Sequence, residues 1–380
     1  MTSVFIEPQD VLALRGNKLF GEPGSYGESL VPPWPSVAAG AIRSMMLARD
    51  GNAAAFARSE TRHPALGTPD EPGPFTLTAF HLARKQHNCI EPLFAPPADT
   101  VIDAPEGKLE IRRLRPIVPA DGLSSSKPLP LLPVLAQANR SKPRTGYWLT
   151  AAGWRAYLDD VAIGPDHLVA SESLWKYDLR VGIGLSARTR HVEEGKLFSV
   201  NTVALKPGNG FVARVLGAEL PSDGMLRFGG DGRSARMRAV EIDWPLPDFD
   251  FIARTRRARL VLTSPGLFDR GWLPTGMSSS DDRTYRFSLH GVRARLVCAA
   301  LNRAEVISGF DLAKRRPKPA LRAVPTGSVF WLDEIDAAPA DLRKLAETGL
   351  WPAEHHNDAR RAEGFNRITL ALDRMREHHV

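Results

Sequence analysis

From Leu174 onward the chain is a succession of β-rich runs, each bounded by Gly, Pro, Asn or Asp, and this constrains the fold more than any other feature. The runs cover 179–185, 197–205, 211–216, 236–242, 259–263, 285–290, 293–299, 329–332 and 368–372, interrupted late by a helix over about 340–347. Upstream, 4–14 reads as a short β-like run, 75–82 alternates as a half-buried strand, and 150–158 is a short helix candidate. Few helices among many antiparallel-looking strands predict an α+β fold with helices on one side of the sheets. No short fixed period recurs, which excludes a solenoid.

The first long helix is expected after Pro35, with Ser36 as N-cap. Val37, Ala41, Met45 and Ala48 are expected to face a sheet, while Ser36, Gly40 and Arg43 form a second stripe whose small residues leave room for a phosphate at the helix start. Between 91 and 144 prolines recur around Ser124-Ser125-Ser126, and the segment is read as a loop-rich insertion that projects as a flap or runs over the surface.

Glycine-punctuated loops lie at 21–27, 228–233 and 322–328. None has the strand-to-helix turn ending in Lys-Ser or Lys-Thr that a nucleotide-binding P-loop requires. Backbone N–H groups beside arginines suit a polyanion laid across a surface. Lys and Arg total 50 against 43 Asp and Glu, a net charge of +7, with basic runs at 112–115, 254–259 and 314–318 and an acidic stretch at 333–336. The balance favours a nucleic-acid partner. Trp34, Tyr177, Phe198, Phe228 and Trp272 neighbour these loops as candidates for stacking on bases.

Cys89 and Cys298 have no paired spacing, and the dispersed histidines give no metal-ligand pattern, so neither metal nor cofactor is expected. Motifs of serine hydrolases, zinc proteases and NTPases are missing. With no signal-like segment and no run long enough to span a membrane, a soluble cytoplasmic protein is expected. His191, after Arg188-Thr189-Arg190, and His81 are the candidates for acid/base chemistry in a metal-independent ribonuclease. A histidine that touches RNA without reacting is the simpler reading.

Taken in order, several segments resemble a known family. Phe5-Ile6-Glu7-Pro8-Gln9-Asp10, Pro32-Pro33-Trp34-Pro35 through Arg43, Arg180-Val181-Gly182-Ile183-Gly184 with its Arg188-Thr189-Arg190 and Glu194–Phe198 sequel, Gly229–Arg233, Gly271-Trp272-Leu273-Pro274, Ser308-Gly309-Phe310-Asp311 and Lys318 to Val329 are similar to the large RAMP subunit of type III-B CRISPR (Cmr) effector complexes. The resemblance spans nearly the whole chain. It implies two ferredoxin-like (RRM-like) domains, at 1–170 with the 91–144 insertion and at 171–380. It also implies a non-catalytic role in binding the 5′ tag of CRISPR RNA between the backbone RAMP filament and the polymerase-type large subunit, and a projecting element. The chain departs from the family's glycine-rich C-terminal loop in carrying Asn366 after Gly364-Phe365.

On the combined reading the RNA-contacting set is Gly24, Ser25, Tyr26, Ser36, Arg43, Arg188, Arg190, Lys196, Arg233, Arg236, Trp272, Lys318 and Ser328, with no catalytic residue. The alternatives are an RNA-processing endoribonuclease of the same superfamily and a structural subunit whose basic surface meets acidic protein neighbours.

Overall fold

The computed structural model describes residues 1–14, 25–27, 29–119, 129–137, 142–279, 284–352 and 358–374. The first half is organised by β1 (Thr2–Pro8), β2 (Thr76–Gln86), β3 (Cys89–Leu93), β4 (Trp175–Leu185), β5 (Val192–Leu205), β6 (Asn209–Leu216), β7 (Asp223–Arg227) and β8 (Ser234–Val240). The second half adds β9 (Ala258–Leu262), β10 (Met277–Ser279), β11 (Tyr285–Leu289), β12 (Val292–Ala300), β13 (Val329–Asp336) and β14 (Ile368–Leu372). Helices are α1 (Pro35–Arg49), α2 (Ala151–Leu158), α3 (Phe249–Thr255), α4 (Pro339–Thr348) and the short α5 (Asp358–Ala362).

Two six-stranded antiparallel sheets result, in the orders β7-β8-β1-β6-β2-β3 and β10-β11-β12-β13-β9-β14. Each contains four strands laid fourth–first–third–second in chain order: β8-β1-β6-β2 and β14-β9-β13-β12. In the first sheet the connection from β1 to β2 carries α1; in the second the connection from β13 to β14 carries α4. Each four-strand set keeps one long helix, and the other connection holds an edge strand or hairpin instead.

The sheets are covered on both faces, which is why their inner strands read as continuous apolar runs. Val4 and Ile6 of β1 face α1, whose Ala38, Ala39, Ala41, Ile42 and Met46 are buried there, while Phe5 points to the opposite face beside Val212 and Trp244. The buried stripe of α1 is therefore rotated from the one expected, because Ala48 is exposed and Val37 and Met45 are only half-buried. In the second sheet Leu260 and Leu262 meet α3 and α4, whereas Val261, Val297, Cys298 and Trp331 meet Phe94, Trp154 and Tyr157.

The described part of the insertion lies against the second sheet. The amide of Ala98 donates to Gly327 O at 2.8 Å and that of Leu131 to Val297 O at 3.0 Å, fastening it to the second sheet. A division at 170/171 separates strands that are hydrogen-bonded together: β6 and β8 complete the first sheet, while residues of the insertion and α2 pack on the second.

The fastening centres on Arg259 in β9, whose side chain is 2% exposed. Its guanidinium donates to Asp99 Oδ2 at 2.9 Å, to Tyr157 O at 2.9 Å and twice to Leu372 O, lies 3.4 Å from Asp160 Oδ1 and covers the Tyr157 ring at 4.3 Å. Tyr157 Oη donates to Asp99 Oδ1 at 3.0 Å, and Arg113 adds a 2.6 Å ion pair to Asp160. Burial alone lowers the pKa of Arg259, but the neighbouring Tyr157, Asp99 and Asp160 outweigh it and raise the value.

Removing one partner of such a buried cluster leaves uncompensated charge, so Arg259→Met is expected to destabilise the protein by about 3–5 kcal/mol. Urea unfolding checks this, and a loss below about 1 kcal/mol contradicts the fastening role.

Candidate nucleic-acid interface

β4 and β5 form a long antiparallel hairpin outside both sheets. Alternation places Tyr177, Leu179, Val181, Ile183 and Leu185 on one face, all exposed, with Leu197 and Val192 across from Ile183 and Leu185. At the hairpin tip Ser186 N donates to His191 O at 2.9 Å and Arg190 N to Ser186 O at 2.8 Å, with Arg190 in the left-handed region at φ 55°. Arg188, Arg190 and His191 are exposed. Among the described residues neither arginine side chain has an ion-pair or hydrogen-bond partner. The Gly-rich loop joins this element through Ser25–Gly27, which pairs in parallel with Phe198–Val200 of β5. Gly24 and the side chains of Ser25, Tyr26 and Phe198 lie outside the described residues.

α1 begins two residues earlier than expected. Its N-cap is Trp34, without a side-chain cap, Pro35 is its first residue and Ser36 its second. Proline at the first position loses no helical hydrogen bond and presets φ, so the N-cap falls two residues before Ser36. A Cβ built on Gly40 meets nothing within 4 Å, leaving the surface there open. Arg43 follows on that side, and burial lowers its pKa, opposed by Glu363 and Asp311. Glu363 is already engaged by Lys318 and, at 3.1 Å, by Arg360. Arg43 itself has no ion pair or hydrogen bond among the described residues. A guanidinium held this way is set for an anionic ligand.

Several other expected contacts are committed internally. Arg233 pairs with Asp10 at 2.6 Å, Arg236 donates from Nε to Asp223 Oδ2 at 3.1 Å, Lys196 pairs with Glu193, and Lys318 with Glu363. The carboxyls of Asp10 and Asp223 sit below the usual range, the first chiefly through the Val11 amide and the second through Arg236. Trp272 packs edge-on to Tyr285 at 5.9 Å against the second core. Ser328 has no exposed surface, and its hydroxyl donates to Pro325 O at 2.8 Å, which removes it from any interface.

The other glycine-rich loops also spend amides on the fold: Gly230 N donates to Ala13 O and Gly327 N to Leu262 O. Phe228 is core. In the basic run 254–259, Arg259 is buried and Arg256 donates to Ile335 O; in 112–115, Arg113 and Arg115 share Asp160. The acidic stretch answers Arg286, Arg293 and Arg295 across neighbouring strands. Asn366 keeps the left-handed turn at φ 58°, but it is fully buried and its amide bonds Leu267.

Neither histidine forms a catalytic arrangement. His81 is buried between Phe94 and Trp244, where burial and then Arg214 depress its pKa to about 3. His191 stands at the hairpin tip without a side-chain partner among the described residues. Among those residues no group of three or more His, Cys, Asp or Glu converges, and no helix is long and apolar enough to cross a membrane.

These features define a class: a two-sheet α+β protein with a hairpin outside both sheets, carrying unpaired arginines at the tip of that hairpin and on α1. Chains in two cryo-EM structures are similar to this one. One, from the type III-B Cmr-beta complex bound to cognate target RNA, is 15% identical with a TM-score of 0.50, covering 96% of each chain. The other, from that complex with target RNA and AMPPnP in state 1, is 14% identical with a TM-score of 0.48, covering 94% of this chain and 91% of that one. No curated protein matches significantly. The family model described as "CRISPR-associated protein (Cas_Cmr3)" matches residues 4–372, and the chain belongs to this family, as a Cmr3-type subunit of a type III-B CRISPR effector.

The depressed pKa of His81 gives a pH signature. Its contribution to stability is complete above about 6.5 and is lost as pH falls toward about 3, because the unfolded chain takes up the proton first. Between about 6.5 and about 3 stability should decline by up to about 1.4 kcal/mol per pH unit from this group. His81→Gln should flatten the decline between pH 6.5 and 5 in denaturant titrations; parallel profiles contradict it.

Proposed function

We propose that this chain is a non-catalytic RNA-binding subunit that holds the repeat-derived 5′ tag of CRISPR RNA in the cytoplasm, between the backbone RAMP filament and the polymerase-type large subunit. In this reading the two fourth–first–third–second sheets are diverged ferredoxin-like domains, each reduced to one long crossover helix, with the chain passing from the first to the second near residue 245. The hairpin β4–β5 is the projecting element that fixes the RNA, and its exposed apolar face meets protein neighbours.

The observation that carries the reading is the contrast among cations. Arg188, Arg190 and Arg43 form no ion pair among the described residues, whereas Arg233, Arg236, Lys196 and Lys318 do. Unpaired guanidiniums bind phosphate without first breaking an ion pair. No observation favours the endoribonuclease reading, since His81 is buried and His191 lacks a side-chain partner among the described residues.

The test is a titration of RNA bearing an intact or scrambled 5′ tag against the protein with its large-subunit partner, in EDTA, with the RNA inspected afterwards for cleavage. Arg43→Ala should lower affinity by about 1–2 kcal/mol. Arg188→Ala and Arg190→Ala should each reduce the slope of log affinity against log salt by about 0.7. Arg236→Ala, whose charge Asp223 already neutralises, should change binding least. Equal binding of both RNAs, unchanged slopes, or cut RNA contradicts the proposal.

A further inference from the structure

Where Pro32-Pro33-Trp34-Pro35 crosses between the sheets, it closes a cavity of about 230 Å³. Trp34, Phe80, Phe94 and Trp148 supply aromatic wall, with His81 and Glu305 as polar members. Clefts between two packed units are favoured sites for small ligands, and this one falls below the roughly 300–1,000 Å³ that drug-sized molecules occupy. It suits a single planar ring system.

The walls are rigid. His81, Phe94, Trp154 and Tyr157 form a continuous series of ring contacts at 4.8, 4.7 and 5.4 Å, ending against Arg259. Trp148 is fixed by a 3.0 Å bond from Nε1 to Ser171 Oγ and by edge contact with Trp175 at the root of the hairpin.

The polar groups are unspent. Trp34 Nε1 is buried with no hydrogen-bond partner. It leans toward Glu305 closely enough to lower that carboxyl's pKa against the larger effect of burial, which raises it, yet without reaching hydrogen-bond geometry. A buried donor without an acceptor is a standing cost that a ligand relieves. The cavity therefore offers a carboxylate that accepts two hydrogen bonds, an indole N–H that donates one, and aromatic faces. α1 starts at its wall, with Pro35 among the lining residues and no side chain capping its first amides.

We infer that this cavity is a nucleobase pocket that takes an unstacked guanine of the bound RNA, its N1–H and N2–H₂ donating to Glu305 and its O6 accepting from Trp34 Nε1. Among the common bases, guanine presents two adjacent donors beside an acceptor on its Watson–Crick edge. The aromatic walls supply stacking that is tolerant of base identity, so selectivity falls to Glu305. The inference rests on the RNA-binding reading and names the base that the chain reads.

The test uses the full chain and free nucleotides. Saturation-transfer NMR titrations with GMP, AMP, CMP and UMP should show GMP binding about tenfold or more tightly than the others. Glu305→Gln should abolish that preference, and Trp34→Phe, which keeps a ring but removes the N–H, should weaken GMP severalfold, both in samples whose circular dichroism matches wild type. Four nucleotides bound alike by the wild-type chain, a GMP preference that survives in folded Glu305→Gln, or GMP affinity unchanged in folded Trp34→Phe overturns the pocket. Tagged RNA bound with normal salt dependence but with no base preference defeats the pocket alone; tagged RNA not bound at all defeats the RNA-binding reading beneath it.

Discussion

Arg259 is the interaction on which the rest of the arrangement depends. A guanidinium buried in a strand is tolerable only with its donors and charge answered, and here the answers come from Asp99, Asp160, Tyr157 and Leu372. Those residues belong to the insertion, the end of α2 and the last strand of the second sheet. Satisfying one arginine therefore ties the insertion and the end of α2 to one face of that sheet and to its last strand, while α3 and α4 cover the other face. What remains for function is the surface the network does not consume.

That division explains how a basic chain becomes a selective surface. Net charge suggests that any arginine can meet a polyanion, but most of the basic runs are spent on carboxylates or carbonyls of the fold. Arg43, Arg188 and Arg190, which have no ion pair among the described residues, sit on α1 and at the hairpin tip. The same hairpin exposes a row of apolar side chains, from Tyr177 to Leu185, that a monomer gains nothing by keeping in water. A subunit of a larger effector assembly has reason to carry both.

The strands were legible in the sequence. Each β-rich run from 179 to 372 corresponds to a strand, and 340–347 and 150–158 to helices, because alternation and turn residues are local signals. Pairing partners were not legible. Arg259 and Asp99 are 160 residues apart and Arg233 and Asp10 are 223 apart, so a run of arginines reads the same whether it faces solvent or a carboxylate. For the same reason the sequence left the insertion open between a flap and a run over the surface, and the boundary fell at 170: nothing local says that β6 and β8 return to β1. The one hint of a buried arginine was position 259 within Ala-Arg-Leu-Val-Leu, all of it buried. Ser328 misled because a serine beside glycine in a turn looks alike whether its hydroxyl faces solvent or closes the turn.

Hydrogen–deuterium exchange of the protein with and without tagged CRISPR RNA tests the central claim, that RNA meets the unpaired cations and not the buried network. Added RNA should slow exchange at the hairpin tip around 186–191 and along the segment leading into α1, and leave 99–115 and 254–259 unchanged. Slowed exchange in those two basic stretches, with none at the tip, would contradict the account.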